Sequence, residues 1–338
     1  MIKSFSLFLY LAVILTFTPS FFCVEDTITI ESKSKFLSVK KGEVAQAPFV
    51  TKQSATNSAI PDNAVIEASC VATYREDKSA PYEFRIFTPN NLLPNKKYPL
   101  IIWLHGAGES LSDNISQLAH MEWSIDLLAG SNRPDFFLIA LQCPVETESW
   151  YQPDPRSPHG ESPLEMLDKI TNVLTCEYPI DTDRISLFGI CSGATAGFTL
   201  IQRFPQKFSA FAACSGNPPP YLIDTYRLLP IWIFNNGVDS EIWRENQSLT
   251  NAVNHVGGNM ALTVNNITGY DTWTSAQRDS HVLEWLIKQR RGGIVFPQGV
   301  PIYYRSKKEI LIKFCLPITI TVISTLITRR FSSRRSPA

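Results

Sequence analysis

The sequence lacks an excess of charge of either sign. Its 338 residues include 31 Lys plus Arg and 31 Asp plus Glu. Proteins that bind nucleic acids usually carry a basic excess that faces the phosphates, so no nucleic-acid partner is predicted. We expect the substrate to be a small or neutral molecule.

Cysteine pairs of the kind that hold metals are also missing. The seven cysteines include no C-x-x-C pair and are too widely spaced for a disulfide scaffold. The sequence therefore predicts no metal and no cofactor. Because 44% of the residues are hydrophobic, the chain has enough apolar material for one domain of about 200 to 250 residues.

Two apolar runs lie near the ends of the chain. The first follows the basic Lys3 and predicts a signal peptide or an uncleaved anchor within residues 1–22. The second, residues 310–328, is interrupted by Lys313 and Pro317. It predicts a transmembrane helix, with an amphipathic segment on the membrane surface as the alternative.

A basic tail, residues 329–338, follows the second apolar run. Its arginines favour a cytoplasmic C-terminus. The chain is therefore expected to be a single-pass membrane protein, with its folded domain extracytoplasmic in the secretory pathway, at the cell surface or in the periplasm.

The region between the apolar runs divides into three parts. Residues 23–64 are rich in Lys, Ser, Thr and Glu and show no apolar period, which predicts an irregular spacer. Residues 65–291 are predicted to form the folded domain, and residues 292–309 a juxtamembrane linker.

Within the folded domain, short apolar runs alternate with helical stretches. A hairpin is predicted from segments 66–74 and 82–88. Further strands are predicted at 100–104, 136–141, 185–188, 208–213, 231–234 and 260–264, and helices at 112–123, 163–176, 194–204, 242–256 and 280–290. This alternation is typical of an α/β fold with a mostly parallel central sheet and helices on both faces.

Cys191 occupies a turn between a predicted strand and a predicted helix. Gly189 and Gly193 flank it at two residues on either side, as in a nucleophile elbow, where a sharp turn leaves no room for side chains at those positions. The helix dipole favours a thiolate at this place. A frame centred on Ser192 lacks both glycines, and an inert buried cysteine or a disulfide with Cys214 remains the structural alternative.

A glycine-rich turn follows the strand 100–104. It carries His105, Gly106 and Ala107, and a turn of this kind can direct backbone N–H groups at a developing oxyanion. Ala107 and Ser192 are the predicted oxyanion donors. His105 is interpreted as a turn residue satisfied by backbone hydrogen bonds.

Two later loops hold the remaining candidate catalytic residues. Asp239 follows the strand 231–234, where a triad carboxylate is expected, with an exposed loop aspartate as the alternative. Tyr270 stands after the last strand, where a triad base is expected. A phenol with an ordinary pKa of about 10 is a poor general base at neutral pH.

With these motifs, residues 80–291 resemble the phospholipase/carboxylesterase branch of the α/β hydrolases, which includes polyhydroxybutyrate-depolymerase-like and feruloyl-esterase-like proteins. The characteristic segments are 97–109, 142–144, 178–185 and 269–273. The resemblance implies the α/β-hydrolase fold and a Ser-His-Asp mechanism. Asp239 matches the family acid, whereas Cys191 stands at the position of the serine and Tyr270 at that of the histidine.

Replacement of the catalytic histidine leaves the base unassigned. His159 and His281 are the candidate substitutes, each with a surface or packing role as the alternative. His120 and His255 fall within predicted helices and receive no role.

Two functions remain open. The first is a membrane-tethered, exported hydrolase of carboxylesterase type that acts on an ester or related acyl substrate through Cys191. The second is a catalytically inactive binding protein that keeps the pocket without the chemistry. Turnover or a trapped acyl adduct would distinguish the two.

Overall fold

A single sheet organises the part of the chain that the structure describes. This computed structural model describes residues 27–31, 35–41, 66, 69–76, 82–89, 92–121, 135–144, 149–154, 157, 159–218, 223–237, 241–265, 271–279, 282–292 and 303–304. The strands are β1 (Thr27–Glu31), β2 (Lys35–Lys41), β3 (Cys70–Glu76), β4 (Tyr82–Phe87), β5 (Tyr98–Leu104), β6 (Phe137–Leu141), β7 (Ile180–Ile190), β8 (Ala210–Cys214), β9 (Ile231–Asn236), β10 (Met260–Asn265) and β11 (Tyr303–Tyr304).

The strand order is β1-β2-β3-β4-β6-β5-β7-β8-β9-β10-β11. Pairs from β1 to β4, and the pair of β4 with β6, are antiparallel, and every pair from β6 to β11 is parallel. The predicted α/β fold with a mostly parallel sheet is confirmed. Because β5, β7, β8, β9 and β10 run in the same direction, the loops that follow them begin at one edge of the sheet.

Helices cover both faces of the sheet. They are α1 (Pro163–Glu177), α2 (Ser192–Arg203), α3 (Ile223–Tyr226), α4 (Glu241–His255), α5 (Trp273–Asp279) and α6 (Val282–Lys288). Alternate residues of β5 enter two separate cores, with Ile102 packed on the side of α1, α2 and α4 and Trp103 on the side of α5 and α6. This alternation follows from the two-residue period of a strand.

Local sequence signals explain the sharp start of α1. Ser162 and Glu165 form a capping box, and Pro163 occupies the first turn, where its missing N–H is not needed. The helix therefore begins where the sequence predicts it.

Three regions differ from the sequence expectations. Residues 23–64, predicted to be irregular, contain β1 and β2, and residues 292–309, predicted as a linker, contain β11. These strands form by pairing with the edges of the sheet at β3 and β10, which is a non-local effect. The predicted helix 112–123 is absent over residues 112–121, where a short 3-10 helix, Ser116–Leu118, is the only helical turn.

The predicted signal or anchor, residues 1–22, lies outside the described residues, as do the predicted transmembrane helix, residues 310–328, and the basic tail, residues 329–338. Among the residues that are described, no helix is both long and apolar enough to cross a membrane.

Candidate active site

Cys191 forms the apex of the turn between β7 and α2. Its backbone has φ 50° and ψ −119°, a strained conformation for a residue with a side chain. The N–H of Cys191 donates to the carbonyl oxygen of Cys214 at 2.9 Å, and its own carbonyl accepts from Ala194 and Thr195. These bonds fix the turn from both sides, so the side chain of Cys191 projects at the carboxyl edge of the sheet.

The two flanking glycines are required by close backbone contacts. A Cβ atom on Gly189 would lie 2.6 Å from the carbonyl oxygen of Gly193. A Cβ atom on Gly193 would lie 2.2 Å from the carbonyl oxygen of Leu104. The residue with the strained backbone is Cys191, and Ser192 is already the first residue of α2.

Cys191 and Cys214 are both free thiols, although the hydrogen bond between their backbones places the two residues side by side. Cys214 is fully buried. Burial raises the pKa of its thiol, against the effect of a hydrogen bond with Thr272. Of these two cysteines, only Cys191 is partly exposed and suited to reaction with a small molecule.

His105 holds the glycine-rich loop beside the elbow. It is fully buried, with Nδ1 2.6 Å from the carbonyl oxygen of Gly106 and Nε2 accepting the N–H of Cys143 at 2.9 Å. Trp150 donates its indole N–H to the carbonyl oxygen of His105. Burial lowers the pKa of His105 to about 4, so the ring is neutral and acts as a structural support.

The glycine-rich loop contacts the elbow at Gly106. A Cβ atom on Gly106 would lie 3.4 Å from Cβ of Cys191 and 3.8 Å from the carbonyl oxygen of Ile190. Ala107, the next residue, begins a short 3-10 helix. Ser192 lies in the first turn of α2, where backbone N–H groups have no partner within the helix. Gly106, the residue before Ala107, therefore lies beside Cys191, and Ser192 follows Cys191 in the chain.

The same loop brings an acid and a histidine together. Glu109 is 4% exposed, and its Oε1 lies 3.3 Å from Nε2 of His120. The ring of His120 packs against Trp273 with the ring centroids 5.1 Å apart. His120 falls within a helix predicted from the sequence and has no predicted role, whereas its backbone in the structure has φ 62°.

A buried polar network holds this loop in place. Gln142 donates to the carbonyl oxygen of Glu109 and to Asp113, and accepts the N–H of Asn114 at 2.7 Å. Arg85, 1% exposed, donates to the carbonyl oxygen of Asn114 at 2.7 Å. Burial by itself would raise the pKa of Asp113, but hydrogen bonds from Ser116 and other groups hold it below its ordinary value.

The other predicted site residues are less well connected. His159 is described and exposed, and its backbone N–H donates to Ser157; no contact of this residue with Cys191 is seen. Asp239, Tyr270 and His281 lie outside the described residues.

The segments that flank Asp239 and Tyr270 do lie at the carboxyl edge of the sheet. Asn236 at the end of β9 pairs with Asn265 at the end of β10, and the N–H of Gly237 donates to the carbonyl oxygen of Asn265 at 3.0 Å. The loops that hold Asp239 and Tyr270 therefore begin side by side.

A family comparison fits this arrangement of elbow, glycine-rich loop and sheet. The model of the Esterase family matches residues 79–291, which is more than half of the chain. The chain belongs to the Esterase family.

Two relatives of this Esterase-family chain are informative. A bifunctional acetylxylan esterase/xylanase, XynS20E of Neocallimastix patriciarum, is 27% identical over 143 residues, which are 42% of this chain and 19% of that protein. The crystal structure of a thermostable esterase is 26% identical with a TM-score of 0.58, and the match covers 67% of this chain and 64% of the other. The chain thus spans about a fifth of the curated relative and less than two thirds of the solved one.

Proposed function

We propose that the chain is a membrane-tethered, exported hydrolase of carboxylesterase type that uses the thiol of Cys191 as its nucleophile. The observation that carries this proposal is the strained backbone of Cys191, at φ 50° between β7 and α2, in a chain of the Esterase family. A strained residue at this junction of strand and helix is a typical site for a nucleophile.

The proposed reaction has two steps. In the first, the sulfur of Cys191 attacks the ester carbonyl carbon and forms a C–S bond, the C–O bond to the alcohol breaks, and the alcohol leaves with a proton. In the second, water attacks the thioester, the C–S bond breaks, and the carboxylic acid and the free thiol are released. Backbone N–H groups of Ala107 and Ser192 stabilise the oxyanion in both steps, and Asp239 is the orienting acid.

The thiol lessens the dependence of this reaction on a histidine. A thiol ionises more readily than a hydroxyl, so a cysteine depends less than a serine on a base at position 270. Tyr270 at that position is therefore compatible with turnover by Cys191. Small acyl groups are the first substrates to test, because one relative is named for an acetylxylan esterase activity.

Replacement of the family histidine by Tyr270 favours a second candidate function, a binding protein that keeps the fold without catalysis. Without a base, a serine enzyme accelerates the reaction only about 10³- to 10⁴-fold over the rate in water. Such a protein would bind an acyl compound without forming an adduct.

One experiment separates the two functions. The full-length chain in detergent is incubated with short p-nitrophenyl esters, and turnover and intact mass are measured. The hydrolase is expected to release nitrophenol and to show an acyl adduct, and both disappear in Cys191→Ala. Cys176→Ser is the matched control, because Cys176 is an exposed thiol on α1. No adduct and no turnover on any ester would reject the hydrolase in favour of the binding protein.

The membrane tether is tested separately. A chain truncated before residue 310 is expected to lose its membrane association, whereas the full chain stays in the membrane after alkaline extraction. Retention of the truncated chain would assign the anchor to residues 1–22 instead.

A further inference from the structure

The last strand, β11, determines where the chain leaves the sheet on its way to the C-terminus. β11 pairs in parallel with β10, with Tyr303 opposite Thr263 and Tyr304 opposite Val264. Because β10 is itself parallel to β9, β11 runs in the direction shared by all the parallel strands. The chain after Tyr304 therefore starts at the carboxyl edge of the sheet, which is also the edge that presents Cys191.

The exit from β11 also lies in the same row of the sheet as the elbow. The row is defined by successive pairing partners on β7 to β11, namely Ile190, Cys214, Phe234, Thr263 and Tyr303. Tyr303 is therefore level with the residue that precedes Cys191, four strands away. Neighbouring strands are about 4.8 Å apart, so these two positions are separated by about 19 Å along the row.

The second apolar run begins close to this exit. Only residues 305–309 separate Tyr304 from the run at 310–328. Six steps of fully extended chain span at most about 22 Å. Three of the five connecting residues are basic, a charge that is attracted to lipid phosphates, namely Arg305, Lys307 and Lys308. A membrane anchor in the second run would therefore hold the carboxyl edge close to the lipid headgroups.

The first apolar run approaches the sheet from the opposite edge. Each of the pairs β1–β2, β2–β3, β3–β4 and β4–β6 is antiparallel, so β1 runs in the same direction as β6. Thr27, the first residue of β1, therefore lies at the amino edge, where the parallel strands begin. Only four residues separate it from the predicted segment 1–22. The identity of the anchor thus decides which edge of the sheet faces the membrane.

We propose that residues 310–328 anchor the chain and that the carboxyl edge, with Cys191, faces the lipid surface. The substrate is then an acyl ester of an amphipathic molecule that stays in the bilayer, with its carbonyl at the level of the headgroups. This inference rests on the proposed tether and on the proposed role of Cys191. An ester in the bilayer meets a tethered enzyme at an effective concentration that the tether sets, whereas a soluble ester gains nothing from the tether.

The chain has a native reporter thiol at each edge of the sheet. Cys191 is partly exposed at the carboxyl edge, and Cys176 is exposed at the end of α1, directly before β7 begins at the amino edge. The 11 residues of β7 span about 36 Å. The two thiols therefore report on opposite ends of one long strand.

The orientation is measured without an ester. The full-length chain with Cys23→Ala, Cys70→Ala and Cys315→Ala is placed in phosphatidylcholine vesicles that carry an acceptor dye on the headgroup. A donor dye labels Cys191 in a chain with Cys176→Ser, or Cys176 in a chain with Cys191→Ala, and circular dichroism verifies folding. Energy transfer is expected to be at least about twofold more efficient from Cys191, because the strand between the thiols is long. Equal transfer, or more efficient transfer from Cys176, would overturn the proposal.

The substrate class is tested with two esters on a chain that keeps all its cysteines. One is p-nitrophenyl palmitate held in the vesicles, and the other is p-nitrophenyl acetate in solution. Truncation before residue 310 is expected to lower turnover of the palmitate at least about tenfold and to leave turnover of the acetate unchanged.

A spacer variant keeps the second anchor in place. A helical spacer of four EAAAK repeats between Tyr304 and Arg305 extends the tether by about 30 Å and is expected to lower turnover of the palmitate in the same way. Unchanged turnover of the palmitate in both the truncated chain and the spacer variant would reject a substrate held in the membrane.

The outcomes also separate this inference from the hydrolase itself. If energy transfer is more efficient from Cys191 but neither ester is turned over, the orientation stands and the hydrolase is rejected. If the acetate is turned over through Cys191 but transfer is more efficient from Cys176, the hydrolase stands and the orientation is rejected. The anchor would then be assigned to residues 1–22, which approach the amino edge.

Discussion

The carbonyl oxygen of Leu104, at the end of β5, packs closely against Gly193 in the first turn of α2. A Cβ atom on Gly193 would lie only 2.2 Å from this oxygen. This contact fixes the distance between the elbow and the glycine-rich loop. Any side chain at Gly193 would push the two apart.

We therefore predict that Gly193→Ala destabilises the protein by about 1 to 3 kcal/mol, because the added methyl cannot be accommodated without moving the backbone. Urea unfolding followed by circular dichroism measures the effect. Gly108→Ala is the matched control, because a Cβ on Gly108 meets no atom within 4 Å. Equal unfolding midpoints for the two variants would contradict the close contact.

Exchange of the nucleophile tests the role of the sulfur. Cys191→Ser is expected to lower turnover of p-nitrophenyl esters by about 10²-fold or more, because a hydroxyl depends on a strong base. The double variant Cys191→Ser with Tyr270→His is expected to regain activity relative to the single variant. Full activity in Cys191→Ser would show that the thiol is dispensable.

The polar network below the glycine-rich loop is predicted to contribute to stability. Arg85→Met removes the donor to the carbonyl oxygen of Asn114 in a buried site, so a loss of about 1 to 3 kcal/mol is expected from urea unfolding. Arg203→Met is the control. Its partner Glu165 lies 3.4 Å away in an exposed pair, and such pairs contribute about 0 to 1 kcal/mol. Similar losses in both variants would argue against the network.

Stability is predicted to depend on pH through His105. Burial lowers its pKa from 6.5 to about 4 in the folded protein, so between these values the unfolded chain binds a proton that the folded chain does not. The contribution of His105 to stability is therefore complete above the unfolded pKa, falls by about 3 kcal/mol in total as the pH decreases towards 4, and changes no further below that.

Urea unfolding at about pH 7.5 and pH 4.5 measures this dependence. His105→Gln is expected to flatten it, whereas His255→Gln, at an exposed residue of α4, is expected to keep it. An unchanged pH dependence in His105→Gln would assign the acid sensitivity to other groups.

The elbow could be predicted from sequence because its signals are local. Gly189, Cys191 and Gly193 lie within five residues between an apolar strand and a helix, and the backbone takes the strained form that this spacing predicts. Parallel strands were recognisable for the same reason, since each is a short apolar run of its own.

The loop that carries the acid and the histidine could not be predicted in this way. Residues 112–123 show a helical pattern, but Asn114 and His120 have positive φ. Their conformations depend on Gln142 and Gln277, which are distant in sequence. The pairing of Glu109 with His120 is equally non-local, so no local pattern in the sequence predicts it.

The hydrogen bond from the N–H of Cys191 to the carbonyl oxygen of Cys214 joins two main-chain groups. The close contacts around Gly189 and Gly193 are likewise made by main-chain atoms. The shape of the elbow is therefore independent of the reactive atom that it presents. A serine and a cysteine differ by one nucleotide in some codons, and the contacts that shape this turn involve neither side chain. The turn therefore permits an exchange of oxygen for sulfur in one mutational step without refolding, so the chemistry of such a site can change while its architecture stays the same.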